Sequence, residues 1–363
     1  MGILFVQGLL LLAHWFLYAT WAAYWGAPVG WAGLAVKAVL FLLAISFTTA
    51  ALLGFYSSSP LVSALYWVAS VWLGTLNFLF YAAILCRAIG VAAFVFRLPL
   101  NRPALAGGLL VAALATSLYG LVNARIVHMR RITVTLPGLP ASWRGRTALV
   151  ISDLHLGHIH GVRFSRKVAA RARALNPDII FLPGDLFDGS HADAERLAAP
   201  LVELKPPLGF FFTAGNHDEF GPMNHYTQVL ARGGVRVLNN ERVTVDGLHI
   251  VGVPYGDASF PIRLRTTLEG LKPLEGEAVI LLNHVPNRLP IAEQAGVSLQ
   301  LSGHTHGGQL IPVTWFTRRA FGRYTYGFQR YGRLQVLTSS GAGTWGPPMR
   351  VGTESEMVLL RFE

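Results

Sequence analysis

The first 130 residues consist mainly of four long apolar segments, and this feature limits the possible folds more than any other. The segments extend roughly over residues 3–25, 29–55, 61–86 and 103–127. A helix needs about 20 apolar residues to cross the hydrocarbon core of a bilayer, and each segment has that length. A signal peptide is the alternative for the first segment, but no basic residue precedes it and three similar segments follow. The sequence therefore predicts an all-α bundle of four transmembrane helices.

Charged residues are distributed very unevenly along the chain. The net charge is +11, yet no aspartate or glutamate precedes Asp153, and nine basic residues give that part a charge of +9. Residues 153–363 carry 21 basic and 19 acidic side chains and are almost neutral. The excess of positive charge therefore belongs to the membrane part. It does not favour a nucleic-acid partner, which would require a broad basic surface on the second part.

Basic residues beside the apolar segments predict the orientation of the chain in the membrane. Arg87, Arg97 and Arg102 lie between the third and fourth segments. Five basic residues follow the fourth segment: Arg125, Arg130, Arg131, Arg144 and Arg146. Because cytoplasmic loops carry an excess of Lys and Arg, the larger group predicts by a small margin that the C-terminal part lies in the cytoplasm.

The remaining sequence has the pattern of an α/β domain. Short apolar runs predict strands at residues 147–151, 179–182, 210–213, 249–253, 279–282 and 299–301, and residues 163–175 and 192–204 predict helices. Strands that are apolar throughout indicate a sheet buried on both faces. The predicted organisation is a transmembrane region over residues 1–130, a linker over 131–146 and one α/β domain over 147–363.

Side chains that bind metals follow five of these strands directly. They are Asp153 and His155, Asp185, Asn216 and His217, His284, and finally His304 and His306. Ligands of open α/β sheets bind at the carboxyl ends of strands, so these side chains are expected in one crevice. Imidazole and carboxylate together suit Mn, Fe or Zn, whereas Mg and Ca prefer oxygen ligands. Two ions about 3.5–4 Å apart can stabilise both the attacking and the leaving oxygen of a phosphoryl displacement.

The order of these blocks resembles that of the calcineurin-like metallophosphoesterase superfamily. The blocks are Asp-x-His, Gly-Asp, Gly-Asn-His-Asp, a lone His and Gly-His-x-His, and all five occur between residues 150 and 306. The segment from Ser339 to Pro347 and the preceding apolar segments are similar to the bacterial membrane-associated branch, which includes UDP-2,3-diacylglucosamine hydrolase-like enzymes. The resemblance implies a metallophosphoesterase domain built as a sandwich of two sheets flanked by helices.

The resemblance also implies a role for each residue of the five blocks. Asp185 would bridge two divalent ions, with Mn, Fe or Zn as the expected metals. The other ligands would divide into two sets: Asp153, His155 and His306 for one ion, and Asn216, His284 and His304 for the second. His217 would be the catalytic acid that protonates the leaving oxygen or holds the phosphate.

A membrane-anchored phosphoesterase is the function that this resemblance implies. It would hydrolyse a phosphoester or pyrophosphate bond with metal-activated water, in a bacterial inner membrane. Four spans hold the site near the bilayer and raise its effective concentration for lipids, so a lipid-linked substrate and membrane lipids are the expected partners. A nucleotide phosphodiesterase or nuclease is the alternative within the superfamily. A sensor or transporter with a non-catalytic domain is the alternative from another class, although no expected ligand is missing.

Four further residues are candidates for contact with the substrate: His158, His160, Arg318 and Arg319. The two histidines could contact the phosphate or lie in a solvated loop. The two arginines belong to an aromatic and basic stretch within residues 294–353, where no acidic residue occurs. This stretch could lie against the membrane and bind an anionic head group, or it could form a hairpin that packs on the domain.

Overall fold

The computed structural model describes residues 2–271 and 276–363. The chain forms two compact units. The first comprises Met1–Val122 with Gly346–Met349, and the second comprises Asn123–Trp345 with Arg350–Glu363.

Four long helices make up almost all of the first unit. They are α1 (Gly2–Trp25), α2 (Gly30–Gly54), α3 (Pro60–Val95) and α4 (Arg102–Asn123). Each is long and apolar enough to cross a membrane, which confirms the predicted number of helices. The first turn of α3 is capped, because the Ser59 side chain accepts a hydrogen bond from the Val62 N–H. Pro60, the first residue of the helix, has no backbone N–H that would need an acceptor. It continues to Val95, well beyond the predicted end of the third apolar segment.

Arg87 lies inside the first unit and finds its hydrogen-bond partners within that unit. Arg87 donates from Nε to Thr20 Oγ1 at 3.1 Å and from Nη2 to the Ala19 carbonyl at 2.7 Å. Such pairing is expected for an ionisable group within membrane-spanning helices. Arg87 is therefore a residue of the helix bundle rather than a loop charge, which leaves Arg97 and Arg102 as the flanking charges on that side.

The second unit contains two six-stranded sheets. The first sheet consists, in spatial order, of β1 (Val127–Val134), β12 (Ser355–Phe362), β2 (Thr147–Val150), β3 (Ile179–Pro183), β4 (Phe210–Thr213) and β5 (Arg236–Val237). The second consists of β10 (Gly327–Tyr331), β11 (Leu334–Thr338), β9 (Leu299–Ser302), β8 (Val279–Leu282), β7 (Leu248–Gly252) and β6 (Glu241–Val245). Strands β2 to β5 are parallel, as are β7, β8, β9 and β11, so the ends that carry the motifs point in one direction within each sheet.

Among the described residues of this unit, eight α-helices accompany the sheets. They are α5 (Val162–Leu175), α6 (Ala194–Val202), α7 (Asn216–Phe220), α8 (Met223–Arg232), α9 (Tyr255–Ala258), α10 (Pro261–Leu271), α11 (Leu289–Gln294) and α12 (Val313–Phe321). The predicted helices at residues 163–175 and 192–204 correspond to α5 and α6.

The alternation of side chains along each strand divides the apolar core into three layers. Ala148 and Val150 of β2 and Ile280 of β8 pack in the layer shared by both sheets. Leu149 faces the opposite side of β2, where the core includes residues of α5, α6 and α8. Leu281 faces the opposite side of β8, with residues of α10 and α11. Because one face of each sheet meets the other sheet and one meets helices, the structure confirms the two-sheet sandwich flanked by helices.

The segment predicted as a linker, residues 131–146, contains regular structure. Its first residues belong to β1, which pairs in parallel with β12 over the full length of both strands. Trp143 is fully buried, and its indole N–H donates to the Val245 carbonyl at 3.0 Å. The alternation in Val-His-Met-Arg-Arg-Ile-Thr-Val is weak, so the sequence pattern did not predict this strand.

Candidate metal centre

The predicted ligands lie in the loops that follow β2, β3, β4, β8 and β9. Five of them have left-handed backbone conformations, with φ between 45° and 68°: Asp153, His155, Asp185, His304 and His306. Residues other than glycine rarely adopt this conformation, and it concentrates where surrounding structure holds a functional side chain in place. Gly184 and Gly303 permit close approach of these loops, because a Cβ at either position would collide with His284 or with Asp153 respectively.

The first cluster contains Asp153, His155 and His306, whose ligand atoms all lie within 4.8 Å of one another. Nε2 of His155 is 3.0 Å from Nε2 of His306, and Nε2 of His306 is 3.5 Å from Oδ1 of Asp153. All three side chains are buried. Three lone-pair donors therefore converge on one point, which is the arrangement that a divalent ion requires.

The second cluster contains Asp185, His284 and His304, again with ligand atoms within 4.8 Å of one another. Nε2 of His284 is 3.0 Å from Oδ2 of Asp185, and Nδ1 of His304 is 3.0 Å from Oδ1 of Asn216. Asp185 also lies 3.7 Å from Nε2 of His155 in the first cluster. Its carboxylate thus stands beside both clusters, where a bridging ligand would have to stand.

The electrostatics of this crevice fit a pair of cations. Burial lowers the pKa values of His155 and His306 well below their ordinary value, so both rings are neutral and offer lone pairs near neutral pH. Burial opposes a charge on His284, but the carboxylates of Asp185 and Asp153 raise its pKa to about 10. The two carboxylates therefore attract positive charge at this point, which a bound metal ion would supply.

One buried nitrogen adds to this fit. Among the residues that the structure describes, Nε2 of His284 is a fully buried atom that lies 3.0 Å from Oδ2 of Asp185 but makes no hydrogen bond of good geometry. A buried polar atom without a well-formed hydrogen bond is costly, and a bound ion would relieve that cost. The Nε2 atom of His284 belongs to the ligand set that the sequence predicts for the second ion.

His217 lies next to the clusters without being the centre of either one. Its Nδ1 lies 3.1 Å from the Asp188 carbonyl, so it carries the proton of this hydrogen bond, and its backbone N–H donates to Oδ1 of Asp185 at 2.8 Å. Its ring packs edge-on against His155, with the centroids 4.7 Å apart. Because Nδ1 is engaged, Nε2 is the nitrogen available to exchange a proton with a substrate.

Asp218 fixes the loop that carries Asp185. Its carboxylate accepts hydrogen bonds from the backbone N–H groups of Asp185 at 2.8 Å, Phe187 at 2.9 Å and Gly215 at 2.9 Å. The side chain is fully buried. It is therefore a structural support beneath the centre and not a ligand.

Arg350 is a residue of the site that the sequence analysis did not identify. Its fully buried guanidinium donates to the carbonyls of His306 at 3.1 Å, Gly341 at 3.3 Å and Gly343 at 2.7 Å, and also to that of Ser340. The Gly343 N–H in turn donates to the Asp153 carbonyl at 2.8 Å. Burial lowers the pKa of Arg350 to about 10, so it remains charged at neutral pH. It connects the segments of Asp153 and His306, two members of the first cluster.

The structure gives different positions to the candidate substrate residues. His160 is buried against Phe164, and its Nε2 accepts a hydrogen bond from the Thr344 N–H at 2.9 Å, so its ring supports the loop of Thr344. His158 is half-buried, and its backbone N–H donates to Oδ2 of Asp188 at 3.2 Å. Arg318 and Arg319 are exposed in the last turn of α12.

Aromatic side chains surround the histidines of the centre. Phe220 and Trp345 lie beside His217, with ring centroids 5.4 and 5.9 Å away, and they are 64% and 57% exposed. Phe321 and Tyr255 lie beside His304, with centroids 6.1 and 6.2 Å away. We call these four residues the aromatic rim. A polar centre therefore opens through an apolar border, which the motif-based analysis did not detect because the four residues are distant in sequence.

Comparison with known proteins identifies the domain that carries this centre. The sequence profile of the calcineurin-like phosphoesterase family matches residues 146–308. A metallophosphoesterase from Aquifex aeolicus is 36% identical over 220 residues, covering 58% of this chain and 83% of the relative. A zebrafish transmembrane protein with a metallophosphoesterase domain is 30% identical over 274 residues, covering 69% of this chain and 61% of the relative.

The similar proteins differ in how much of their length this chain matches. The chain spans about three fifths of the zebrafish relative and of a relative from Campylobacter jejuni. Among solved structures, a zebrafish dimetal phosphatase aligns with a TM-score of 0.37 at 12% identity, covering 55% of this chain and 88% of the phosphatase. With its five ligand loops and its match to the Aquifex protein, the chain belongs to the calcineurin-like metallophosphoesterase family.

Proposed function

We propose that the protein is a membrane-anchored phosphoesterase that hydrolyses the phosphoester or pyrophosphate bond of a lipid-linked substrate. The aromatic rim is the observation that carries this proposal. Exposed Phe220 and Trp345 stand beside His217, so a substrate whose phosphate reaches His217 would have apolar rings beside it. An acyl or isoprenyl chain would bury those rings, whereas a small hydrophilic ester would leave them in water.

Different groups of the centre would have different roles in hydrolysis. Two divalent ions, when bound by the two clusters, would supply Lewis-acid activation of water and of the phosphoryl group. His217 is the proposed catalytic acid: the Asp188 carbonyl holds its Nδ1 proton, which leaves Nε2 to donate a proton to the departing oxygen. Asp218 and Arg350 keep the ligand loops in place, so the geometry exists before the substrate arrives.

Membrane attachment follows from the continuity of the chain. Helix α4 ends at Asn123 and β1 begins at Val127, so three residues join an apolar helix to the catalytic domain. Relatives from zebrafish and cattle carry the name transmembrane protein with metallophosphoesterase domain. Because Arg87 lies inside the bundle, only Arg97 and Arg102 remain as basic residues between α3 and α4, whereas five arginines follow α4. This difference supports a catalytic domain on the cytoplasmic side of a bacterial inner membrane.

A pair of substrates with the same pyrophosphate bond tests this proposal. Full-length protein in lipid nanodiscs would be assayed for kcat/KM on CDP-diacylglycerol and on water-soluble CDP-glycerol. We expect preference for the lipid, and Phe220→Ala with Trp345→Ala should lower kcat/KM for the lipid by about tenfold or more, since burial of an aromatic side chain is worth about 1.5–3 kcal/mol. CDP-glycerol hydrolysis should not change.

Phe260→Ala is the matched control, because Phe260 is similarly exposed and its ring lies over Arg263 instead of a histidine of the centre. Equal losses on both substrates in the rim variant would contradict a lipid substrate. Preference for CDP-glycerol in the wild-type protein would instead favour the nucleotide phosphodiesterase alternative.

A further inference from the structure

Helix α12 presents large apolar side chains to the surroundings of the protein. Trp315 and Phe316 are each 68% exposed, although burying such side chains is favourable. Thr314 is buried, and Phe321, which falls on the same helical face, lies beside His304. With 3.6 residues per turn, Trp315, Phe316 and Arg319 occupy the opposite face, which we call the outer face of α12.

The helix is attached firmly to the loop that carries His304 and His306. Gly308 has φ +88°, and a Cβ there would collide with the Thr314 backbone, so the turn before α12 packs directly on the helix. Thr305 Oγ1 donates to the Thr325 carbonyl at 2.6 Å, and Thr325 Oγ1 donates at 2.8 Å to the carbonyl of Gly322, the residue that directly follows α12. Both ends of α12 are therefore tied to the metal centre, and the exposed rings are not the result of a loose segment.

The chemistry of the outer face fits the interface of a bilayer with anionic lipids. Trp and Phe are favoured at the level of the lipid head groups, and amphipathic helices with basic residues lie in that plane. Arg318 and Arg319 are exposed beside the rings, and residues 294–353 contain no acidic side chain that would repel an anionic surface. Basic residues near such a surface are attracted to it.

The chain connection between α4 and β1 also favours a bilayer as the surface that α12 contacts. Only three residues separate α4 from β1, so a membrane that holds α4 would raise the effective concentration of lipid for the surface of the domain. We propose that α12 docks on the surface of an anionic phospholipid bilayer, with Trp315 and Phe316 at the boundary between head groups and acyl chains. The proposal rests on the membrane attachment in the proposed function but not on catalysis.

Such docking would deliver lipid substrates to the aromatic rim. Phe321 is both the last residue of α12 and a member of the rim beside His304. The last residue of the helix that contacts the bilayer would therefore border the metal centre. This arrangement gives the basic and aromatic stretch a role that the sequence alone left open.

The single cysteine of the chain allows a direct test. Cys86→Ala removes it, and Phe316→Cys introduces one site for an environment-sensitive nitrobenzoxadiazole label on the outer face. The labelled full-length protein would be reconstituted in vesicles of equal parts phosphatidylglycerol and phosphatidylcholine. Phospholipids brominated on their acyl chains should quench the label, and the same label on exposed Gln228 of α8 should not be quenched.

Two further measurements separate bilayer docking from self-association and from loss of the fold. Arg318→Ala with Arg319→Ala should reduce the quenching in phosphatidylglycerol vesicles and have no effect in pure phosphatidylcholine. Metal content of each variant reports whether the domain is folded. Equal quenching at Phe316→Cys and Gln228→Cys would overturn the proposal, and so would a label that is protected only at high protein concentration, which would indicate a second copy of the chain. Because quenching needs no turnover, an inactive enzyme would leave this result intact.

Discussion

The residues of the metal centre show why a site can be recognised in sequence while its construction cannot. The metal ligands can be identified from the five sequence blocks because the residue types and their order are unusual. The left-handed conformations of Asp153, Asp185 and His304 leave no trace in the sequence, since glycine is the residue that normally signals them. Each such conformation costs on the order of 1–3 kcal/mol and must be held by neighbouring groups.

Arg350 is the clearest example of such a neighbouring group. It donates to four carbonyls around His306 and the loop of Ser340 to Gly343, and it has no acidic partner at hydrogen-bond distance among the described residues. A single arginine in a sequence with 30 basic residues gives no signal of this role. Only the fold places it behind the first ligand cluster.

We predict that Arg350→Lys weakens metal binding by about 10–100-fold, the range seen when groups that orient ligands are changed. Lysine keeps the charge but cannot reach several carbonyls with a planar fork of donors. The metal dissociation constant would be measured by titration of the metal-free protein, and the melting temperature would be measured at saturating metal.

Arg333→Lys is the control for this prediction, because Arg333 is exposed. A loss of metal affinity with little change in the melting temperature of the loaded protein identifies Arg350 as a positioning residue. Unchanged affinity in Arg350→Lys would show that the carbonyl contacts do not matter for the ligands.

At the scale of secondary structure elements, strands buried on both faces were the easiest to predict. Runs such as Val279–Leu282 are apolar at every position, and they lie where the sequence places them. Strand β1 escaped prediction because only its ends, Val127 and Val134, are buried, and two arginines interrupt it. For the aromatic and basic stretch, the sequence allowed two interpretations, a membrane-facing segment or a hairpin. The structure shows helix α12 followed by the hairpin of β10 and β11.

The pairing of β1 with β12 predicts where the catalytic domain begins. A fragment of residues 123–363 should fold, whereas a fragment of residues 147–363 should aggregate, because it lacks β1, buried Leu136 and buried Trp143 and leaves the edge of β12 unpaired. The lost burial of these side chains is worth about 5 kcal/mol or more, comparable to the whole stability of many domains.

The comparison of these two fragments requires only expression and gel filtration in the presence of Mn²⁺. A monomeric, cooperatively unfolding fragment 147–363 would contradict the assignment of β1 to the domain. It would instead support the linker that the sequence predicted over residues 131–146.

For the whole molecule, composition alone indicates two kinds of polypeptide in one chain, and the structure contains two corresponding units. The four apolar helices and the order of the five motif blocks were sufficient to predict the fold class and the family. The aromatic rim could not be predicted, because it depends on where distant residues such as Phe220 and Trp345 meet. For the stretch that forms the outer face of α12, contact with the membrane was one of two interpretations that the sequence left open. These two features carry the proposals about lipid, so substrate preference is a property of the folded surface and not of the motifs.

We expect the two ligand clusters, with Asp185 beside both, to hold the metal ions of one hydrolytic centre. Asp185→Asn removes the carboxylate charge with almost no change in shape, and it should weaken both clusters at once. The most direct measurement is hydrolysis of bis(p-nitrophenyl) phosphate by metal-free, full-length protein as Mn²⁺ is added. We predict that the wild-type protein becomes active when metal is added. In Asp185→Asn the activity should fall by about 100-fold or more, a loss of about 2.7 kcal/mol or more of transition-state stabilisation. Metal-loaded wild-type protein that hydrolyses no phosphoester, or an Asp185→Asn variant with full activity, would contradict it.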